Sequence, residues 1–152
     1  MKKEFVMRGQ TATGGIETLH FSGFNEGYAY RMTEFQLYPS TNIGGGATAA
    51  FEASASVTAG KVALNPAAPD FNNDSLIATA LFLKDSTSAY YQFGTSSVVN
   101  DTFMITQDLL LEVHEQSGNN SPVNWQCRFE SVKLGKAEQA VVNYKQFTIS
   151  DI

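Results

Sequence analysis

Two blocks of strict alternation constrain this chain more than any other feature. Between Ala49 and Val57 the apolar residues Ala49, Phe51, Ala53, Ala55 and Val57 alternate with Ala50, Glu52, Ser54 and Ser56. Between Val123 and Phe129 the apolar residues Val123, Trp125, Cys127 and Phe129 alternate with Asn124, Gln126 and Arg128. Successive side chains of a strand point to opposite faces of a sheet, so each block gives one face to a core and one to water. The chain is therefore expected to be an antiparallel β protein.

A length of 152 residues suits one domain over residues 1–152 and allows roughly two thirds of the unfolded surface to be buried. Charged residues make up only 16% of the chain, against ~25% in typical soluble domains. Ser, Thr, Asn and Gly fill the difference. An uncharged polar surface loses less hydration when another surface covers it, which suits a protein packed among neighbours, although extracellular β domains share the bias. The net charge of −5 argues against sequence-independent nucleic-acid binding, which needs Lys and Arg on phosphates. Near the N-terminus Glu4 and Arg8 interrupt any apolar segment of the ~7 to 15 residues a signal peptide requires. The longest nearly apolar run, Leu76 to Leu83, is far short of the ~20 residues of a spanning helix. A soluble protein made in a cytoplasm is expected, with neither nucleic acid nor membrane as partner.

Strands are expected at Glu4 to Arg8, Ile16 to Phe21, Tyr28 to Leu37, Thr48 to Thr58, Lys61 to Leu64, Leu76 to Leu83, Ala89 to Phe93, Phe103 to Ile105, Leu109 to Glu115 and Val123 to Leu134. Tyr28, Tyr30 and Met32 keep one phase whereas Phe35 and Leu37 keep the other, which places a β-bulge near Thr33 and Glu34. A similar change from Phe129 to Val132 and Leu134 suggests a second bulge or bend near Ser131. Pro39 ends its strand, because proline cannot donate to a ladder. Leu76 to Leu83 is apolar on both faces and is expected to be a central, doubly covered strand, which requires a second layer. The architecture expected is an all-β antiparallel sandwich of roughly eight strands, jelly-roll-like. Ala137, Ala140, Val141 and Tyr144 have the spacing of an apolar helical stripe and point to a short C-terminal helix, though Val141, Val142 and Tyr144 also suit a strand.

No residue set reads as a catalytic centre, and no metal or cofactor site is assigned. His20 and His114 lie out of phase with Leu19, Phe21 and Val113 and should be solvated. Zinc needs three or four convergent ligands, and Cys127 is the one thiol, expected to be a small buried hydrophobe. Asp70, Asn72 and Asp74 have the spacing of a calcium loop, but Ser75 replaces its glycine and Leu81 its bidentate glutamate, so these residues are read as turn caps. Gly44 to Gly46 and Gly60-Lys61 lack the remainder of a phosphate-binding loop. The sequons at Asn73, Asn100 and Asn119 are discounted without a signal peptide. Trp125 is read as core, while Tyr90 and Tyr91 point to opposite faces, so that one is expected at the surface. None of the 15 acids is marked by context as half of a glycosidase pair.

The segments Gly27-Tyr28-Ala29-Tyr30 and Phe35-Gln36-Leu37-Tyr38-Pro39, with Trp125-Gln126-Cys127-Arg128-Phe129-Glu130-Ser131-Val132-Lys133-Leu134 followed by Glu138 and Ala140, resemble small virion proteins of tailed phages that infect marine bacteria. The resemblance implies a non-enzymatic virion subunit and brings no catalytic residue. It also implies the major capsid protein or other virion subunits as partners, together with copies of itself. A capsid decoration or minor head protein is the reading taken, with a tail or neck subunit as the alternative within the class. A carbohydrate-binding sandwich using exposed aromatics and polar loops, with Asp70 to Asp74 as its candidate calcium loop, and a hydrolase relying on one carboxylate, are the readings from other classes.

Overall fold

The two alternating blocks become two long strands, one in the middle of each sheet of a sandwich. The computed structural model describes residues 3–21, 27–41, 50–87, 90–116, 118, 120–138 and 140–142, with backbone alone at 85–87 and 90–93. Its strands are β1 (Glu4–Thr11), β2 (Ile16–Leu19), β3 (Tyr28–Pro39), β4 (Phe51–Thr58), β5 (Leu76–Thr87), β6 (Tyr90–Val99), β7 (Leu109–Glu115) and β8 (Val123–Lys133). One sheet has the order β1-β8-β3 and the other β2-β7-β4-β5-β6. Every ladder is antiparallel.

The chain is rolled up. β1 pairs with β8, β2 with β7 and β4 with β5, while β3 packs close to β5 and β6 of the other sheet without a ladder. This nesting of first with last and second with second-last is the pairing scheme of a double-sheet jelly roll. Gly14, at φ 76°, makes the turn from β1 to β2 in a backbone region that side chains disfavour.

The interior joins unlike faces. The larger sheet contributes Ala53, Ala55, Ala78 and Ala80 at its centre, and the smaller one contributes Met32, Phe35, Leu37, Trp125 and Phe129. Short side chains on one side receive long ones from the other, and β3 consequently lies close against β4 and β5. At one end, Phe5, Phe21, Tyr30 and Phe129 form an aromatic cluster with ring centroids 5.0 to 6.3 Å apart.

The expected bulge in β3 is present, as the register against β8 slips between Met32 and Glu34. Four expectations need correction. β8 continues without a slip through Ser131 to Lys133; Glu130 and Val132 keep the phase opposite to Phe129, on a face where Glu130 and the neighbouring Ala29 of β3 are buried. Lys61 to Leu64 is not a strand. It belongs to a loop returning over the outer face of β4, where Ser56 Oγ donates to the Leu64 carbonyl at 2.7 Å and Leu64 N–H donates to Thr58 Oγ1 at 3.4 Å. Phe103 to Ile105 contributes one bridge, between Ile105 and Tyr30. β5 is not the central strand but the one next to the edge strand β6, and it is covered on both sides only at Ile77, since Leu81 is 45% and Leu83 38% exposed. Residues 136–138 and 140–142 are helical as expected, yet Ala137, Ala140 and Val141 are exposed. That turn of helix does not bury its apolar stripe, and Tyr144 lies outside the described residues.

Candidate functional site

Trp125 belongs to the interior. It is 8% exposed, and its indole N–H donates to Thr11 Oγ1 at 2.9 Å. Cys127 is fully buried, and desolvation raises its thiol pKa well above the ordinary value, holding it protonated and unreactive. His20 points to solvent beside Asp108, with Nδ1 3.4 Å from Oδ2. Asp108 Oδ1 meanwhile accepts the Phe21 N–H at 2.7 Å, which fixes the chain leaving β2. His114 faces outward on β7 and lines a shallow hollow with Ala63, Asn65 and Pro66 of the returning loop.

The oxygens of the Asp70 to Asp74 segment build turns. Asp70 Oδ1 accepts the Asn72 N–H at 2.9 Å, and Asn73 Oδ1 accepts both the N–H and the hydroxyl of Ser75. Asn100 does the same for Thr102. Among the described residues no three His, Cys, Asp or Glu side chains converge. Gly44 to Gly46 and Asn119 lie outside the described residues, as do the side chains of Tyr90 and Tyr91.

Two outward faces remain, and they differ in chemistry. On the smaller sheet the register sets Gln126 between Arg8 and Gln36, Asn124 between Gln10 and Tyr38, and Arg128 next to Glu34. Gln10 Nε2 donates to Asn124 Oδ1 at 3.0 Å and Arg128 Nε to Glu34 Oε2 at 3.2 Å. Arg8, Gln36, Tyr38, Asn124 and Gln126 surround an open depression of about 520 Å³. Tyr38 is 56% exposed. Such a wall of amides, one guanidinium and one phenol ring both donates and accepts hydrogen bonds and offers an aromatic surface for stacking. Sequence reading missed this grouping, although the alternation that buries Leu37 already sends Gln36 and Tyr38 outward.

The larger sheet exposes apolar groups instead. Leu81 and Leu83 of β5 and Val98 of β6, the last 50% exposed, stand on its outer face. Ser54 of β4 and Ser96 of β6 flank Leu81 in register. Phe71 of the returning loop, 64% exposed, lines a second hollow with Ile77 and Val98. These residues can be covered with little loss of hydration.

Compared with known proteins, the chain matches no family model and no curated protein.

Proposed function

We propose that the chain is a non-enzymatic structural subunit of a phage virion, a capsid decoration or minor head protein that packs against coat subunits and other copies of itself. The observation that carries this reading is the rolled eight-strand sandwich formed by a chain with only 16% charged residues. Jelly rolls of this kind build viral shells, and symmetric repetition turns weak contacts between sparsely charged proteins into firm attachment. The support is one of architecture, joined to the virion-protein resemblance of the β3 and β8 segments. Mass spectrometry of purified particles made from the encoding genome tests it. The protein is expected at a stoichiometry set by particle symmetry, and its absence from the particles would end the reading. Cryo-electron microscopy of the same particles separates a head position from the tail or neck alternative.

A second reading is favoured by the depression around Tyr38. Lectins share the jelly roll, and an exposed phenol ring set among Arg8, Gln36, Asn124 and Gln126 suits a saccharide, whose hydroxyls need paired donors and acceptors while its C–H face stacks on an aromatic ring. Glycan-array binding abolished by Tyr38→Ala would support it, whereas binding unchanged in that variant would refute it. The Asp70 to Asp74 loop, on the outer side of the other sheet, is not expected to contribute, so a chelator should leave such binding unaltered.

A further inference from the structure

Among the described residues the two sheets have four edge strands, and three of them resist further pairing. β2 has four residues. β3 carries a bulge, ends at Pro39 and is bridged at Tyr30 by Ile105. β1 bears Glu4 and Arg8. Short length, bulges, proline and charge are the devices by which proteins blunt an edge. β6 has none of them. It runs ten residues, Tyr90 to Val99, with no charged residue and no proline, and its register against β5 is unbroken. Gly94 through Val98 are all exposed.

The hydrogen-bond pattern shows which backbone groups are available. Asn100 N–H donates to the Ile77 carbonyl at 2.8 Å, which makes that position a hydrogen-bonded pair. Because such pairs alternate along an antiparallel ladder, Val98, Ser96 and Gly94 direct their N–H and C=O groups toward β5. Thr95, Ser97 and Val99 therefore direct theirs away from it, and among the described residues no strand pairs with that side.

The geometry points to β6 as a self-association edge, at which a second copy of this chain adds its own β6 antiparallel across a two-fold axis near Ser97 and joins two five-stranded sheets into one. A two-fold axis sets every residue against the same sequence running backwards, so any charge near the axis would meet its like. In a chain of net charge −5, β6 is the one of these four edge strands in which that opposition vanishes. Centring on Ser97 places Thr95 against Val99 of the second copy, with all three outward-directed backbone pairs used. The apolar group of Leu81, Leu83 and Val98 beside the edge then continues across the join. This inference rests on reading the protein as an assembly subunit and names the surface by which copies meet.

The test is light scattering coupled to size exclusion on the full chain over a range of concentrations. Wild type is expected to show a dimer that dissociates on dilution. Ser97→Pro removes an N–H on the free side and leaves the β5 ladder intact, so it should be monomeric with an unchanged circular dichroism spectrum. Should that variant fail to fold, charge reversal decides: Ser97→Lys and Ser97→Glu are each expected to be monomeric, and their equimolar mixture to dimerise. A wild type that stays monomeric throughout, as it would if β6 received a strand from a different protein, overturns the inference. So does a dimer that survives Ser97→Pro or both charged variants. A dimer lost in these variants in a protein absent from particles would sink the virion reading alone, and a monomeric protein present in particles would sink the edge alone.

Discussion

Gly9 and Trp125 face each other across the β1–β8 ladder, and their contact gives a stability prediction with a built-in check. A Cβ on Gly9 would lie 2.8 Å from Trp125 Cζ2 and 3.1 Å from Cε2, closer than carbon atoms approach without displacement. The indole has little room to yield, because it is buried and tethered through its N–H to Thr11. Gly9→Ala is thus an overpacking substitution costing about 1 to 3 kcal/mol, or roughly 2 to 10 °C in Tm for a domain of this size. Trp125→Phe gives up the hydrogen bond to Thr11 and part of the buried ring, at about 1 to 2 kcal/mol. Phenylalanine lacks the outer ring that the new methyl would strike. The double variant should therefore be more stable than the sum of the two losses predicts, with a coupling of about 1 to 2 kcal/mol. Trp125 is the single tryptophan, so urea unfolding of the four proteins must be followed by circular dichroism rather than indole fluorescence. Losses that add to within about 0.5 kcal/mol would show that the two side chains do not compete for the same space.

Other predictions follow from the same packing. Ala55→Leu, placed at the centre of the alanine bed under β3, should cost about 1 to 3 kcal/mol or prevent folding; near-native urea unfolding would contradict the large-against-small arrangement. Arg31→Ala leaves the buried Glu130 carboxylate without its guanidinium partner, at about 2 to 3 kcal/mol. Arg128→Ala breaks the exposed pair with Glu34 and should cost under about 1 kcal/mol, so equal losses in the two variants would refute this ranking. The Cys127 thiol should resist aromatic disulfide reagents in native buffer and react once the chain is unfolded. Tyr30 has its phenol pKa raised by desolvation first and by Tyr28 second. Its neutral form therefore favours folding below the unfolded value of 10.0, and that contribution fades as alkali ionises the ring. Tyr30→Phe should flatten the alkaline limb of the stability profile.

The strands with one wet face were legible because alternation is a direct image of that environment. β7 carries it throughout, β4 over Phe51 to Ala55 and β8 over Val123 to Phe129, and the Met32 to Phe35 phase slip located the β3 bulge. Reading failed where an apolar residue owed its place to something other than a buried strand face. Leu81 and Leu83 looked like one side of a doubly covered strand but stand on an open face. Val62, exposed on the returning loop, made Lys61 to Leu64 resemble a strand. Near Ser131 the apparent change of phase came from Val132, which stands in the outward phase beside the buried Ala29 of β3, where that face is covered and alternation no longer separates core from water. The Tyr38 depression needed three strands in register, and nothing in a single strand reveals its neighbours. The unprotected side of β6 was hidden in the same way, because a strand becomes an edge only through the order of the whole sheet.

The β1–β8 ladder also governs when this protein can acquire its shape. Its hydrogen bonds join residues as far apart as Glu4 and Glu130, so during synthesis β1 must wait, partnerless and partly apolar, until β8 has left the ribosome. Slow closure and a window of vulnerability to aggregation are the kinetic counterpart of a rolled topology. Lower growth temperature, which weakens hydrophobic association between nascent chains, should accordingly raise the soluble yield.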